Sequence, residues 1–263
     1  MDINDFFEGA EKRISFETSK NLLDVSDEEW KIILTKIGCT VLSTIQNDEY
    51  KFFLLSESSC LISKTHVMIK TCGKTKPLLI LDNIDDYPKH LTYSHCDFMI
   101  PDQQPHPHKT KDEEIKFLLT HNKIEKEIKC YNFDKWMLCI SDKISSPFHE
   151  FISRNFEWNH DVSHTNIENI VKKYFPESAI DPKCFEPYGY SMNMLNKNVY
   201  ITIHVTPQKS CCYFSLETNM DNPHGIFKDV LEEIRAKQYE MHISDVDGDK
   251  IKMTFSNYVE GIS

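Results

Sequence analysis

Four short apolar runs follow one another at residues 39–45, 51–55, 60–62 and 66–71. Bulky and β-branched residues dominate them, as they do strands. The links hold only a few residues each, whereas a parallel crossover needs about a dozen. The runs are therefore expected to pair antiparallel. The most demanding link is Leu54-Leu55-Ser56-Glu57-Ser58-Ser59-Cys60, which sets three serines and a carboxylate between two strands. Serine is a common turn former, so a hairpin turn accounts for it. Chemistry offers a second account. A serine hydroxyl held against its own preceding carbonyl can attack it as a nucleophile. At Glu57–Ser58 the amide would become an ester, and elimination would leave Ser58 as a pyruvoyl group at a new N-terminus. The segment alone does not separate the two accounts.

The rest of the chain mixes helical and strand-like stretches. Ser26-Asp27-Glu28-Glu29 is a capping box ahead of Trp30, Ile33, Leu34 and Ile37 at helical spacing, and Gly38 stops the helix. Thr110 to Glu113 repeats the box before Ile115, Leu118 and Leu119. Residues 147–156 read as a short helix. Thr165 and Glu168 cap another, with Ile167, Ile170, Val171 and Tyr174 on one face, and Ile226, Val230, Leu231 and Ile234 mark a last one. Residues 185–193 read as an aromatic-rich loop. The cleanest alternation is at residues 200–206. Val199, Ile201, Ile203 and Val205 share one face; Tyr200, Thr202, His204 and Thr206 share the other. Asp247-Gly248 signals a hairpin between two further strands. Residues 74–108, broken by Pro77, Pro88, Pro101, Pro105 and Pro107, give little signal. There His106-Pro107-His108 reads as a solvated loop with no third ligand, so no metal is expected. About nine strands and four or five helices result. The fold class is α+β, with sheet faces covered by helices.

Charge and composition exclude several classes. The net charge of −11 argues against nucleic acid or an anionic membrane as partner, since both reward basic patches. No apolar run reaches spanning length. The start, Met1-Asp2-Ile3-Asn4-Asp5, does not read as a secretory signal. Nine cysteines without a CxxC pair read as reduced thiols of a cytoplasmic protein rather than a disulfide framework.

Six motifs then occur in order: Phe6-Phe7-Glu8-Gly9-Ala10-Glu11-Lys12, Leu55-Ser56-Glu57-Ser58-Ser59, Lys70-Thr71-Cys72-Gly73, Gly189-Tyr190-Ser191-Met192-Asn193, Thr202-Ile203-His204-Val205-Thr206-Pro207 and Glu217-Thr218-Asn219. Together they resemble the eukaryotic S-adenosylmethionine decarboxylase proenzymes. The resemblance implies a single domain over residues 1–263 with a four-layer αββα sandwich of two antiparallel sheets flanked by helices. It implies self-cleavage at Glu57–Ser58 into a β chain, 1–57, and an α chain, 58–263, with the pyruvoyl group made from Ser58 as cofactor. Ser191 and His204 would assist processing, His204 as the base that removes the Cα proton of Ser58. The pyruvoyl carbonyl would form a Schiff base with S-adenosylmethionine and act as the electron sink for loss of CO2. Cys72 would return a proton to the product carbon. Phe7, Glu57, Phe185 and Gln208 would contact substrate, with Phe7 and Phe185 stacked on adenine, and Glu8 and Glu11 would lie close by. The product would be the aminopropyl donor for spermidine and spermine.

Departures from the family pattern also count. Gln208 stands where a glutamate binds the ribose hydroxyls, so one charge-assisted bond is lost. Ser15 stands where the putrescine network has a glutamate, and its acidic pair is missing near residues 145–149; no strong putrescine stimulation is expected. The chain would act as a homodimer or as a heteromer with a paralogue. A runner-up reading is a regulatory, weakly active paralogue. A Ser58–His204 hydrolase is disfavoured, because no Gly-x-Ser-x-Gly elbow is present.

Overall fold

The computed structural model describes residues 9–133, 135–142, 148–186, 189–208, 211–247 and 250–259. They form two compact units: an N-terminal unit, Ala10–Ser146, and a C-terminal unit, Pro147–Ser263, which also takes in Gly9.

The N-terminal unit contains β1 (Lys12–Glu17), α1 (Asp27–Lys36), β2 (Val41–Gln46), β3 (Lys51–Leu55), β4 (Ser58–Ile62), β5 (His66–Thr71), α2 (Ile80–Asn83), β6 (Lys89–Cys96), α3 (Lys111–Thr120), β7 (Lys129–Phe133) and β8 (Trp136–Ile140). Its eight strands form one antiparallel sheet in the order β2-β3-β4-β5-β1-β6-β8-β7. The capping box at Ser26 forms as expected: the Glu29 N–H donates to Ser26 Oγ and the Ser26 N–H to Glu29 Oε2. Such a cap stabilises a helix by ~1 kcal/mol. Gly38, at φ +87°, turns the chain out of α1. Trp30, Leu34 and Ile37 of the α1 segment pack with Leu118 of α3 on Phe53, Leu55, Cys60, Ile62 and Ile69 of the sheet. Phe52, Leu54, Leu61 and Met68, which point to the opposite face, are buried as well. A sheet buried on both faces reads as continuous apolar runs, as β3 does.

The C-terminal unit contains β9 (Phe148–Asn155), α4 (Ser163–Tyr174), β10 (Ala179–Cys184), β11 (Tyr190–Asn196), β12 (Val199–Gln208), β13 (Cys211–Thr218), α5 (His224–Glu233), β14 (Gln238–Asp247) and β15 (Lys250–Val259). Its sheet is also antiparallel, in the order β10-β11-β12-β13-β9-β14-β15. Helices α4 and α5 cover one face through Ile167, Val171, Ile226, Phe227 and Val230, against Met192, Ile201, Ile203, Phe214 and Leu216. The other face carries polar side chains, and Asn193, Thr202, Ser215 and Glu217 are fully buried on it.

The α+β class and the antiparallel pairing agree with the sequence reading. Several details do not. Among the described residues there are fifteen strands, not about nine. The expected helix at residues 147–156 is strand β9. Phe148, Phe151 and Ile152 stand at helical spacing, yet β9 pairs with β13 and β14 on its two sides. Helix α4 begins at Ser163 rather than at a Thr165 cap, because the Ser163 hydroxyl accepts from the Asn159 N–H and holds the preceding turn. The aromatic stretch at residues 185–193 becomes strand from Tyr190 on. His108 is fully buried rather than solvated, tied to Glu114. Cys130 and Cys139 form a disulfide where reduced thiols were expected. The β7–β8 register sets them directly opposite, with Cα atoms 4.1 Å apart. No group of metal-ligating side chains is found among the described residues, and none of their helices is long and apolar enough to cross a membrane.

Candidate active site

The expected site residues gather in two places, one in each unit. In the N-terminal unit, Ser56 and Glu57 form the two-residue turn between β3 and β4, with Leu55 paired to Ser58. Tight hairpins of this length favour glycine or asparagine, which tolerate positive φ. The sequence offers neither, and the positive φ falls on Ser58 at 144°. A non-glycine residue there stores about 1–3 kcal/mol of backbone strain. The hairpin and self-cleavage readings are thus not rivals: the turn places strain on the one residue that would have to react.

Two donors from a single residue meet the carbonyl between Glu57 and Ser58. The Cys72 N–H reaches Glu57 O at 2.9 Å, and the Cys72 thiol donates to the same oxygen at 3.1 Å. Burial pushes the thiol pKa well above its usual value, and Glu11 adds to the effect, so the thiol keeps its proton. On the other side, Ser58 Oγ donates to Glu11 Oε1 at 2.8 Å. The second oxygen of Glu11 lies 3.2 Å from the buried ammonium of Lys70. Glu11, Lys70 and Ser58 are all at least nine-tenths buried. The Glu57 side chain is held too, since its Oε2 accepts from the Thr40 N–H at 3.1 Å and from Ser56 Oγ. Glu11, Glu57, Ser58 and Cys72 therefore come together: a hydroxyl on a strained residue, a carboxylate that accepts its hydrogen bond, and a carbonyl that meets two donors.

In the C-terminal unit, register aligns the second group. Ser191 of β11 lies opposite His204 of β12, and Asn193 opposite Thr202. Ser191 Oγ and His204 Nδ1 are 2.9 Å apart, and His204 Nε2 lies 2.7 Å from Thr202 Oγ1. Further along the row, Thr202 lies opposite Glu217, and Glu217 opposite Glu150 of β9. Glu217 accepts from Tyr200 OH at 2.7 Å, and Glu150 meets His242 Nδ1 at 3.0 Å. Burial works against the charge on His242, yet Glu150 and Glu240 outweigh it and raise the pKa. Sequence reading did not single out Glu150, looking for acids at residues 145–149. Nor did it single out Asn193 or Thr202, although strand alternation had placed Thr202 beside His204.

The remaining expected residues are less constrained. Phe185 lies half-buried between β10 and β11, where its N–H donates to Gly189 O at 3.1 Å. A Cβ on Gly189, whose φ is +132°, would stand 3.4 Å from Phe185 Cβ. Gln208 is the last residue of β12. Phe7 and Glu8 lie outside the described residues.

Comparison with known proteins decides the family. The sequence model described as adenosylmethionine decarboxylase matches residues 4–150 and 133–257. The chain belongs to this family. It is 31% identical to the S-adenosylmethionine decarboxylase proenzyme of Drosophila melanogaster, over 82% of this chain and 75% of the relative. It is 30% identical to that of Dictyostelium discoideum, over 83% and 69%. For Xenopus laevis the figures are 29%, 95% and 87%. The matched segments hold both clusters, and each is fully within the family's span.

Proposed function

We propose that this family member is the proenzyme of a pyruvoyl-dependent S-adenosylmethionine decarboxylase, cut by its own chemistry at Glu57–Ser58. The observation that carries the reading is the strained Ser58, whose hydroxyl donates to Glu11 while Cys72 supplies two donors to Glu57 O. Glu11 takes the hydroxyl proton as Ser58 Oγ bonds to the Glu57 carbonyl carbon. The developing oxyanion stays where the Cys72 N–H and S–H already point. Collapse breaks the C–N bond as Glu11 hands its proton to the nitrogen, leaving an ester and a free amine. His204 then removes the Cα proton of Ser58 and the Glu57 carboxylate departs. Hydrolysis of the resulting enamine releases ammonia.

The residues present fit the group that this sequence of steps produces, since a serine under strain beside a polarised carbonyl is the donor set its formation needs. Once in place, a pyruvoyl group supplies an electron sink for decarboxylation of an amino acid. Cys72 keeps a proton at Sγ and can return it to the product carbon. Phe7 and Phe185 offer aromatic faces to adenine and to the sulfonium, an attraction worth roughly 0.5–2 kcal/mol. Glu57 and Gln208 supply polar contacts, and Glu8 lies in the same motif as Phe7. No strong stimulation by putrescine is expected: a buried guanidinium, Arg13, donates to Ser15 Oγ at 3.0 Å where the network would need an acid.

Release of labelled CO2 from carboxyl-labelled S-adenosylmethionine tests the reading. Wild-type protein should release it, and Ser58→Ala should release none and stay uncut. Undiminished release by Ser58→Ala would overturn the proposal.

A further inference from the structure

The helix-covered face of the N-terminal sheet carries a lysine in the row of the Glu57–Ser58 turn. Lys12 of β1 lies opposite Thr71 of β5, and Thr71 lies opposite Ser58 of β4. Ile14 and Phe16 belong to the helix-covered core, and strand alternation sets Lys12 on their face. The Lys12 side chain is fully buried. A buried charge is costly unless polar groups meet it. Its Nζ donates to Gly73 O and to Gln104 Oε1, each at 2.8 Å. An ammonium only donates, so the Gln104 amide must present its oxygen there. Nζ also lies 5.0 Å from the centre of the Phe98 ring, which stacks on His95 at 4.6 Å. Phe98 and Gln104 both come from the stretch between β6 and α3, and Gly73 directly follows Cys72. One side chain thus ties that stretch and β1 to the residue whose N–H and thiol meet Glu57 O.

We propose that Lys12 and Gln104 are positioning residues that hold Cys72 where its two donors reach Glu57 O. The inference deepens the proposed function and rests on it for the role of Cys72 in self-cleavage. The anchored carbonyl is one residue past Cys72, so a shift of Gly73 carries the Cys72 N–H and Sγ with it. Thr75 Oγ1 also meets Cys72 O at 2.9 Å, but from inside the same turn. Lys12 ties that turn to another strand. Gln104 acts on Lys12 as Lys12 acts on Gly73: with a second acceptor, the ammonium has a fixed place between the two. Donors that stabilise an oxyanion work over a narrow range of distance. A displacement of about 1 Å, caused far from the reacting atoms, can cost about a hundred-fold in rate.

The test combines amide exchange and a rate. Hydrogen exchange of single amides is followed by NMR in the uncut Ser58→Ala background. Lys12→Met keeps most of the apolar stem and removes the donor. The Cys72 amide should then exchange about ten-fold faster, while those of Met68 and Ile69 in the middle of β5 stay as protected as before. Gln104→Met should act in the same direction and serves if Lys12→Met fails to fold. Gln104→Glu keeps the acceptor and should leave the Cys72 amide protected. With Ser58 intact, Lys12→Met should slow the appearance of cut protein roughly ten- to hundred-fold. That loss should be smaller in a Cys72→Ala chain, because residues that act through one another are not additive. Unchanged Cys72 exchange in the variants that fold would overturn the inference. So would equal loosening of Cys72 and of mid-β5, the mark of a merely structural lysine, or a cleavage loss undiminished in Cys72→Ala. Failure of the wild-type chain to cut at all would instead overturn the functional reading, and the amide exchange would still decide whether Lys12 holds Cys72.

Discussion

The two clusters of candidate site residues are built by opposite means. In the N-terminal unit the backbone departs from regular strand: Ser58 takes a positive φ at the end of a two-residue turn, and the Glu57 carbonyl meets both donors of Cys72. In the C-terminal unit the backbone is regular strand, and side chains alone set the chemistry, each aligned by register with its cross-strand neighbour. A strained turn can push one bond toward reaction, but it has little room to hold a proton relay. A regular sheet repeats side-chain positions at fixed spacing, which suits a hydrogen-bonded row of Ser191, His204, Thr202 and Asn193. The proposed reaction divides accordingly, with its nucleophile and carbonyl on the turn and its base, His204, on the sheet.

The largest expected effect bears on the turn. Glu11→Gln removes the carboxylate proposed to take the Ser58 proton, and self-cleavage should slow by about a thousand-fold, within the span for lost general bases. The decay of full-length chain on denaturing gels measures it. A Glu11→Gln chain that cuts at the wild-type rate would move the base elsewhere. Cys72→Ala should cost less, about a hundred-fold, because the backbone donor to Glu57 O remains after the thiol is gone. An equal or larger loss than in Glu11→Gln would show that the thiol, not the carboxylate, dominates the turn's chemistry.

A smaller effect separates the units by pH. In the N-terminal unit, Glu114 accepts from Tyr93 OH at 2.6 Å and meets His95 Nε2 at 2.6 Å and His108 Nδ1 at 2.7 Å. Burial opposes its charge, yet the two histidines hold its pKa down at about 2. Burial also lowers His108, to about 4. Both pKa values lie below their unfolded counterparts, so the stability they contribute is present near neutrality and is lost on acidification. The loss runs from the unfolded histidine value down to about 4 for His108, and on to about 2 for Glu114. In the C-terminal unit the sign reverses. His242 has a raised pKa, so its contribution is present below the unfolded histidine value and is lost as pH rises through the folded one. Hydrogen exchange read peptide by peptide, corrected for intrinsic rates, should show the N-terminal unit loosening in acid and the C-terminal unit in mild alkali. Glu150→Gln should weaken the alkaline effect, with Glu240 keeping part of it. Loosening of both units in the same direction would contradict the assignment.

How much of this was legible in the sequence follows the same division. The hairpin at Ser56-Glu57 and the face shared by Thr202 and His204 could be read from local pattern, because turn chemistry and strand alternation are local. The positive φ of Ser58 could not, since nothing in the order Glu57-Ser58-Ser59 says which residue takes the strain. Strand β9 was hidden because Phe148, Phe151 and Ile152 mimic one turn of an amphipathic helix, while Glu150 finds its partner, His242, in a distant strand. Strands β1 and β6 were hidden by polar residues whose burial depends on remote partners. Lys12 of β1 donates to Gly73 O and Gln104 Oε1, each at 2.8 Å, and His95 of β6 meets Glu114. The motifs pointed to the candidate residues, while the periodicity left several of the strands that carry them unread.

The most direct test of the central claim is the intact mass of purified protein under denaturing conditions. The account predicts two chains, residues 1–57 and 58–263, the larger lighter than its serine form by the difference that separates a pyruvoyl group from serine, one molecule of ammonia. A single uncut chain of 263 residues, stable over days, would contradict it.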